Sequence, residues 1–328
     1  MRILVTGGLG FIGSNFILQL LKSQQDIHVT NIDAQLYGSN HKNLRDVENS
    51  DNYRFVSGNI NDHSMMQKLI SDSDVVVNFA AESFVDRSIS NAEPFLASNV
   101  QGVFTILEII KSQKKRLIHV STDEVYGTID SGSAVENSRF NPSSPYAATK
   151  ACAELLVNSY VITYGCDCVI TRCTNNYGPR QFPEKLIPKT ILLATQNKKI
   201  PVYGTGKNVR DWLFVDDHCS AILRVLLDGR TGESYNISAN NEIDNLTLIK
   251  RILSLMDKSE DLIEFVEDRP GHDTRYSMSS SKIRHELSWS EKTGFDEGLR
   301  STIGWYLSQK DWWEDMPNSA LGSTPWKN

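Results

Sequence analysis

No apolar run in the sequence approaches the ~20 residues a membrane-spanning helix needs, so a membrane protein is not expected. Cysteine is scarce: Cys152, Cys166, Cys168, Cys173 and Cys219 are five in number, with no C-x-x-C spacing. An odd, scattered set supports neither a disulfide framework nor a zinc site, and reads as reduced, mostly buried thiols in a cytoplasmic protein. Basic runs are missing too, and the formal net charge is −6. That removes the electrostatic case for nucleic acid or an anionic membrane as partner. Internal repeats and low-complexity segments are also lacking. The chain opens at once on Met1-Arg2-Ile3-Leu4-Val5, a strand pattern, so no signal peptide is expected.

What remains is a chain of 328 residues, 40% hydrophobic and 23% charged, long enough for two domains around a sizeable core. Residues 3–6 read as a strand and residues 14–22 as a helix with Phe16, Ile17, Leu20 and Leu21 on its apolar side. Between them stand Gly7, Gly10 and Gly13, spaced G-x-x-G-x-x-G, with Phe11 and Ile12 inside the motif. Such glycines permit a tight turn and let the backbone approach a pyrophosphate at a helix N-terminus. Asp33 closes a second strand, where a carboxylate accepts from adenosine ribose hydroxyls and repels a 2′-phosphate. Ala34 follows it, with no arginine, so the expected cofactor is NAD. A third strand over 53–57 leads to Asn59 and Ile60 near the adenine, and a fourth over 74–79 leads to Ala80 and Ala81 against the cofactor.

A long helix from Phe95 to about Lys114 should return the chain to a buried strand ending at Ser121. There the sequence runs Ser121-Thr122-Asp123-Glu124-Val125-Tyr126-Gly127, which places hydroxyls and carboxyls at a strand's carboxyl end, where open α/β sheets bind ligands. Pro145 starts a further helix that carries Tyr146 and Lys150 one turn apart. A nearby ammonium favours a phenolate, so the pair reads as a tyrosine base tuned by a lysine. Both long helices are apolar on more than one face, from which a homodimer is expected.

With the glycine motif and the Tyr146-x-x-x-Lys150 pair placed, the chain resembles the extended short-chain dehydrogenase/reductase family, and within it the nucleotide-sugar 4,6-dehydratases. The likeness runs from Met1 to the Trp312-Trp313 region. It rests on Ala80-Ala81-Glu82-Ser83, Val85-Asp86-Arg87-Ser88, the Ser121–Gly127 segment, Asn175-Asn176-Tyr177-Gly178-Pro179, Pro183-Glu184-Lys185-Leu186-Ile187-Pro188, Asn208-Val209-Arg210-Asp211-Trp212 and Arg269-Pro270-Gly271-His272-Asp273.

The resemblance implies a Rossmann-type, doubly wound α/β fold, with an NAD-binding domain over residues 1–172 and a nucleotide-sugar-binding domain over 173–328. Strands near 209–238 are expected to return to the first. In the implied reaction Tyr146 takes the O4 proton while hydride leaves C4 for NAD, Thr122 hydrogen-bonds that oxygen, and Lys150 holds the ribose and lowers the tyrosine pKa. Glu124 removes the C5 proton, Asp123 protonates the departing C6 hydroxyl, and the hydride returns to C6. Adjacent carboxyls can divide such tasks if their environments separate their pKa values. A UDP-sugar 4-epimerase on the same fold needs no such carboxyl pair, and a catalytically silent NAD-binding protein would not need Thr122, Tyr146 and Lys150.

For the substrate, the resemblance implies Ser83 and Phe84 near the sugar and Asn175 and Arg210 at the diphosphate. Lys185, Leu186, Pro201 and Tyr203 would surround the base, Arg269 and His272 would close the phosphate end, and Asn241 is a further candidate. No metal is implied. Two residues depart from the pattern of enzymes acting on dTDP-glucose: Phe84 stands where they carry histidine, and Arg180 where they carry an aromatic residue. The expected substrate is dTDP-glucose, with UDP-GlcNAc the alternative because an apolar ring beside the sugar suits a changed C2 substituent. From Asp315 onward the polar tail is expected to be loosely ordered.

Overall fold

The computed structural model describes residues 1–23 and 26–327, apart from the side chain of Asn318. Seven parallel strands form the main sheet: β1 (Arg2–Thr6), β2 (His28–Asp33), β3 (Tyr53–Ser57), β4 (Val75–Asn78), β5 (Arg116–Thr122), β6 (Cys168–Cys173) and, from much later in the chain, Ser234–Ile237. The last strand pairs with β6, and the order across the sheet from the other edge is β3-β2-β1-β4-β5-β6 and then Ser234–Ile237. The chain therefore reverses its direction of travel between β1 and β4, and a crevice opens there at the carboxyl ends. The short apolar runs Ile3-Leu4-Val5 and Val75-Val76-Val77 are buried on both faces, as strands inside a parallel sheet must be.

Helices cover both faces: α1 (Phe11–Ser23), α2 (His63–Ser71), α3 (Val85–Ser90), α4 (Glu93–Phe95), α5 (Gly102–Gln113) and α6 (Pro145–Tyr164). The helix expected from Phe95 to Lys114 is one run from Glu93 interrupted by a π-helical turn over Leu96–Gln101. Such turns often accompany functional sites. Here the turn carries Asn99, whose side chain accepts from the Glu82 amide (2.9 Å) and donates to the Glu82 carbonyl (3.0 Å) and to Thr149 Oγ1 (3.0 Å). The π-turn thus clamps the loop after β4 to α6. At the start of α6, Ser144 accepts from the Ala147 amide at 3.1 Å and Pro145 fills the first helical position; Gly165 ends it at φ +67°.

The rest of the chain contributes β7 (Asn175–Tyr177), β8 (Ile200–Tyr203), β9 (Val209–Phe214), β10 (the strand Ser234–Ile237), β11 (Glu242–Asp244) and β12 (Ile263–Val266), with α7 (Leu186–Thr195), α8 (Val215–Asp228), α9 (Asn245–Leu255), α10 (Ser281–Leu287), α11 (Phe295–Ser308) and α12 (Lys310–Trp313). β9 lies between β7 and β11 in a separate three-stranded sheet, and β8 pairs with β12. Of the segments expected to return to the main sheet, β10 does so and β9 does not. β9 is captured by β7, which a single residue separates from the end of the main-sheet strand β6, and by the β11 strand that follows β10. An apolar core of Tyr177, Ile187, Ile191, Trp212, Phe214, Leu248, Ile252, Leu299 and Tyr306 holds these later elements together.

The tail corrects the expectation of loose order. Short 3₁₀ turns cover Asn318–Leu321 and Pro325–Lys327, and Ala320, Pro325 and Trp326 are buried. The small and apolar residues scattered through its polar sequence are its anchors.

Candidate active site

Consider first the glycine turn after β1. Gly7 adopts φ +71°, and a Cβ there would come within 2.7 Å of the Ala80 backbone. A Cβ at Gly13 would lie 2.5 Å from the Gly7 carbonyl oxygen. The turn is therefore closed to any side chain, and its backbone is left to face the crevice. Asp33 is held in place by accepting from the Leu9 amide (2.9 Å) and the Gln35 amide (2.8 Å). A cavity of about 480 Å³ runs from this cradle along the sheet's carboxyl edge, and its walls include Gly7, Gly10, Phe11, Ile12, Gly13, Asp33, Asn59, Ile60, Ala80 and Ala81. The bare glycine backbone, the carboxylate at the strand end and the length of this cleft fit an NAD molecule.

The same cavity continues past Thr122, Asp123, Glu124, Tyr146 and Lys150 to Ser83, Phe84, Asn175 and Lys185. β5 delivers Thr122 at its last residue, and the turn after it delivers the two carboxyls, while α6 brings Tyr146 and Lys150 from the neighbouring face. Thr122 Oγ1 lies 3.2 Å from Asp123 Oδ1 and accepts from the Glu124 amide at 3.3 Å. The other Asp123 oxygen is buried with no hydrogen-bond partner among the described residues.

Burial, and then the charge of Glu124, push the Asp123 carboxyl up to about 8, so that it is mostly protonated near neutrality. Glu124 is also raised by burial, but the cations Arg269, Lys185 and Arg210 pull it back down. Its Oε2 lies 3.4 Å from the Tyr276 hydroxyl, which donates to Asp273 at 2.8 Å. Adjacent in sequence, the carboxyls thus face different surroundings.

The expected effect of Lys150 on Tyr146 is not found. Burial, followed by the negative charge of Glu124, raises the phenol well above its ordinary value, and the group beside it that lowers the value is the Thr122 hydroxyl. Lys150 Nζ donates to the Val120 carbonyl at 2.7 Å, and burial brings its own pKa down to about 8. The lysine is held by the strand end through the Val120 carbonyl, and it is not among the largest influences on the phenol.

A second cavity, about 160 Å³, adjoins the first through Phe84, Asn175 and Lys185. Leu186, Pro201, Tyr203, Arg210, Arg269 and His272 line it. Asn175 Oδ1, Trp212 Nε1, Asn245 Oδ1 and Arg269 Nε have no partner among the described residues although all are buried, so this small space holds unmet donors and acceptors of both kinds. Arg269 pairs with Asp86 at 2.6 Å, and Tyr203 donates to the same carboxylate at 3.0 Å. Burial and the neighbouring Arg269 bring His272 down to about 4, so it is neutral at pH 7.

Asn241 is not among the residues lining either cavity. Its amide donates to Asp211 Oδ1 at 2.6 Å, and its carbonyl accepts from Trp212, which fixes it in the β9–β11 connection. Arg180 is likewise outside both walls, with donors on the Asn43 carbonyl and Asn15 Oδ1 at 3.2 Å each, and it stacks toward Trp305. Phe84 does line both cavities, packed edge-on against Tyr37 and Phe182.

Several contributors were not assigned from the sequence. Glu184 accepts from Arg87 and from the Tyr37 hydroxyl (2.6 Å), and joins the cofactor side of the cleft to the substrate side. It stands inside a quoted motif beside Lys185, which was signal enough. Tyr276 and Asn245 lie outside every quoted motif and reach the site only through the tertiary fold.

A glycine cradle that opens directly onto a buried tyrosine, threonine and carboxyl cluster defines a dinucleotide-dependent enzyme of the extended short-chain dehydrogenase/reductase class. The family model described as GDP-mannose 4,6 dehydratase matches residues 4–302, and the chain belongs to this family of nucleotide-sugar dehydratases. It is similar to the dTDP-glucose 4,6-dehydratase of Mycobacterium tuberculosis (strain CDC 1551 / Oshkosh), at 47% identity over 98% of this chain and 97% of that one. Among solved structures it resembles DesIV, a dTDP-glucose 4,6-dehydratase from Streptomyces venezuelae with NAD bound, at TM-score 0.94 and 45% identity over 96% of this chain and 99% of that one. The dTDP-glucose 4,6-dehydratase of Bacillus anthracis strain Ames, in complex with NAD, matches at TM-score 0.91 and 44% identity over 96% and 99%.

Proposed function

We propose that this chain is an NAD-dependent nucleotide-sugar 4,6-dehydratase that converts dTDP-glucose to the 4-keto-6-deoxy sugar. The observation that carries the proposal is the Asp123–Glu124 pair, set in one cavity with Thr122 and Tyr146 and differing in surroundings. When bound, NAD supplies a hydride acceptor for C4 and returns the hydride at C6. Residues 1–172 hold it, and residues 173–328 supply most of the nucleotide-sugar side.

Tyr146, hydrogen-bonded by Thr122, takes the O4 proton. A phenol whose pKa is raised gives a strong base in the small fraction ionised. Glu124, the carboxyl with cations around it, takes the proton at C5. Asp123, neutral near pH 7, gives its proton to the departing C6 hydroxyl. Lys150 holds the cofactor ribose. Arg210, Arg269 and Asn175 take the diphosphate, and Tyr203, Pro201 and Leu186 enclose the base.

Incubation with dTDP-glucose, UDP-glucose and UDP-GlcNAc, followed by the ultraviolet signal of a 4-keto sugar in alkali, tests the reading. Signal from dTDP-glucose is expected, and signal from UDP-GlcNAc alone would move the substrate assignment to that sugar. A C4 epimer formed without loss of water would overturn the dehydratase reading.

The protein acts as a homodimer in the cytoplasm. Leu155, Ile162 and Tyr164 on α6 are exposed beside Leu96 and Phe104 of the neighbouring helical run, an apolar surface suited to a second copy. All five cysteines are unpaired, which fits a reducing compartment. No helix among the described residues is long and apolar enough to cross a membrane. Leu155→Glu with Ile162→Glu should yield a monomer in sedimentation, and an unchanged mass would refute this interface.

A further inference from the structure

The tail after α12 makes contacts that polar, unanchored ends do not make. Ala320 is fully buried against Phe84 and Phe182, two aromatic residues of the cavity wall. The Gly322 carbonyl accepts from Lys189 Nζ at 2.9 Å, and Lys189 lines the smaller cavity. Trp326, 8% exposed, meets the Tyr203 ring edge-to-face at 4.7 Å between centroids and 86° between planes. Lys327 pairs with Glu267 and fastens the end of the chain beside β12. The tail therefore crosses the outside of the smaller cavity and touches three of the residues that form its wall.

Tyr203 is the centre of these contacts. Tyr203 lines the cavity, its hydroxyl donates to Asp86, and its ring meets Trp326 and, farther off, His272. Asp86 in turn pairs with Arg269. Without the indole, Tyr203 loses its nearest aromatic neighbour and is fixed only by its bond to Asp86 and the more distant His272 ring. Trp326 itself does not line the cavity, so its effect on ligand passes through the wall residues it supports, Tyr203 and, through the Pro325–Lys327 turn, α3 with Val85 and Asp86.

We propose that the C-terminal tail is the outer wall of the nucleotide subsite, and that Trp326 is a positioning residue that holds Tyr203 against the ligand's base. This rests on the functional reading above, which puts the base of a nucleoside diphosphate in the smaller cavity. It assigns Trp326 a part in substrate affinity and none in the chemistry, because Tyr203 lines only the smaller cavity and Thr122, Asp123, Glu124 and Tyr146 line the other. Coupling of this kind is reciprocal: if the tail tightens nucleotide binding, nucleotide must tighten the tail.

The test uses the full-length protein, a Trp326→Ala variant, a Trp326→Phe variant and dTDP as probe. Losing one edge-to-face aromatic contact corresponds to at most about a two- to twelvefold change in affinity. Trp326→Ala should raise the Kd for dTDP and the KM for dTDP-glucose by about that factor, with kcat changed less than about twofold and NAD content unaltered. Trp326→Phe should recover most of the loss. In the unmodified protein, amide exchange across residues 320–327 should slow when dTDP is added, a readout that does not depend on any variant folding.

A Kd unchanged in Trp326→Ala, a fall in kcat with KM constant, or tail exchange indifferent to dTDP would each overturn the inference and leave the dehydratase reading intact. Failure of the unmodified protein to bind dTDP or any other nucleoside diphosphate would overturn both.

Discussion

Asp123 and Glu124 share a peptide bond, burial and the nearby Arg210, and differ in their other neighbours. Asp123 turns into the protein, where one oxygen meets the Thr122 hydroxyl and the other meets no partner among the described residues, and its pKa rises to about 8. Glu124 reaches toward Tyr276 within a ring of Arg269, Lys185 and Arg210, which work against the rise that burial causes. Neighbouring carboxyls can serve as acid and base in one reaction when their environments hold their protonation states apart, and this turn gives the two different charged neighbours.

The pH profile of kcat/KM follows from these shifts. Tyr146 and Glu124 must both lose a proton to act, and both are shifted upward, so activity should climb with pH on the acid side. Near pH 8 the trend should reverse, because Asp123 gives up the proton it must donate and Lys150 gives up its charge at about that value. Lys150→Arg, which keeps the charge, should soften the alkaline fall. An optimum near about pH 6 with activity lost by neutrality would contradict these assignments.

Asp123 also carries a stability cost with a definite sign. Its folded pKa, about 8, is above the ordinary 3.8, so the folded state holds a proton that the unfolded chain releases between those values. Stability from this group is therefore undiminished below about pH 4 and is lost as pH climbs through 8. Asp123→Asn should raise Tm at pH 8 by about 2–4 °C for each kcal/mol recovered, and the gain should vanish near pH 4. Thermal melts at the two pH values check this, and equal shifts at both would contradict it.

Glu124→Gln should stop the reaction after the first oxidation. Dehydration is expected to fall by about 10²–10⁴-fold, typical of a lost general base, while reduced nicotinamide builds up as absorbance on addition of substrate. Exchange of the C5 hydrogen with deuterated solvent should cease. Dehydration at the parent rate, or continued exchange, would move the base role elsewhere.

Beneath the sheet's carboxyl edge, Arg172 forms an ion pair with Glu154 at 2.6 Å, both side chains nearly inaccessible to solvent, and it also donates to the Tyr126 hydroxyl at 2.6 Å. Arg172→Met leaves a buried carboxylate unpaired and should cost about 3–5 kcal/mol in urea unfolding; adding Glu154→Leu should restore much of that. A single-variant loss below about 1 kcal/mol would show that water reaches the pair.

The parallel strands were legible because a strand buried on both faces must be continuously apolar, as in Val75-Val76-Val77, and because glycine alone fits the turn at Gly7. Thr122, Tyr146 and Lys150 were legible as residue types at fixed spacing. Their electrostatics were not: helix spacing put Lys150 beside Tyr146, but the Val120 carbonyl, supplied by another element, captures the ammonium. Tyr276 and Asn245 depend on where distant segments land, which no local pattern encodes. The tail was misread because its anchors are few, and Trp326 is buried by partners more than a hundred residues away, such as Tyr203.

In the proposed reaction a hydride leaves C4 and returns at C6 of the same sugar. Incubating the protein with dTDP-glucose deuterated at C4, without added NADH, and locating the label by proton NMR tests this most directly. The deuterium is expected on the C6 methyl group of the 4-keto-6-deoxy product. Label washed into solvent, or retained at C4 of an epimer, would contradict it.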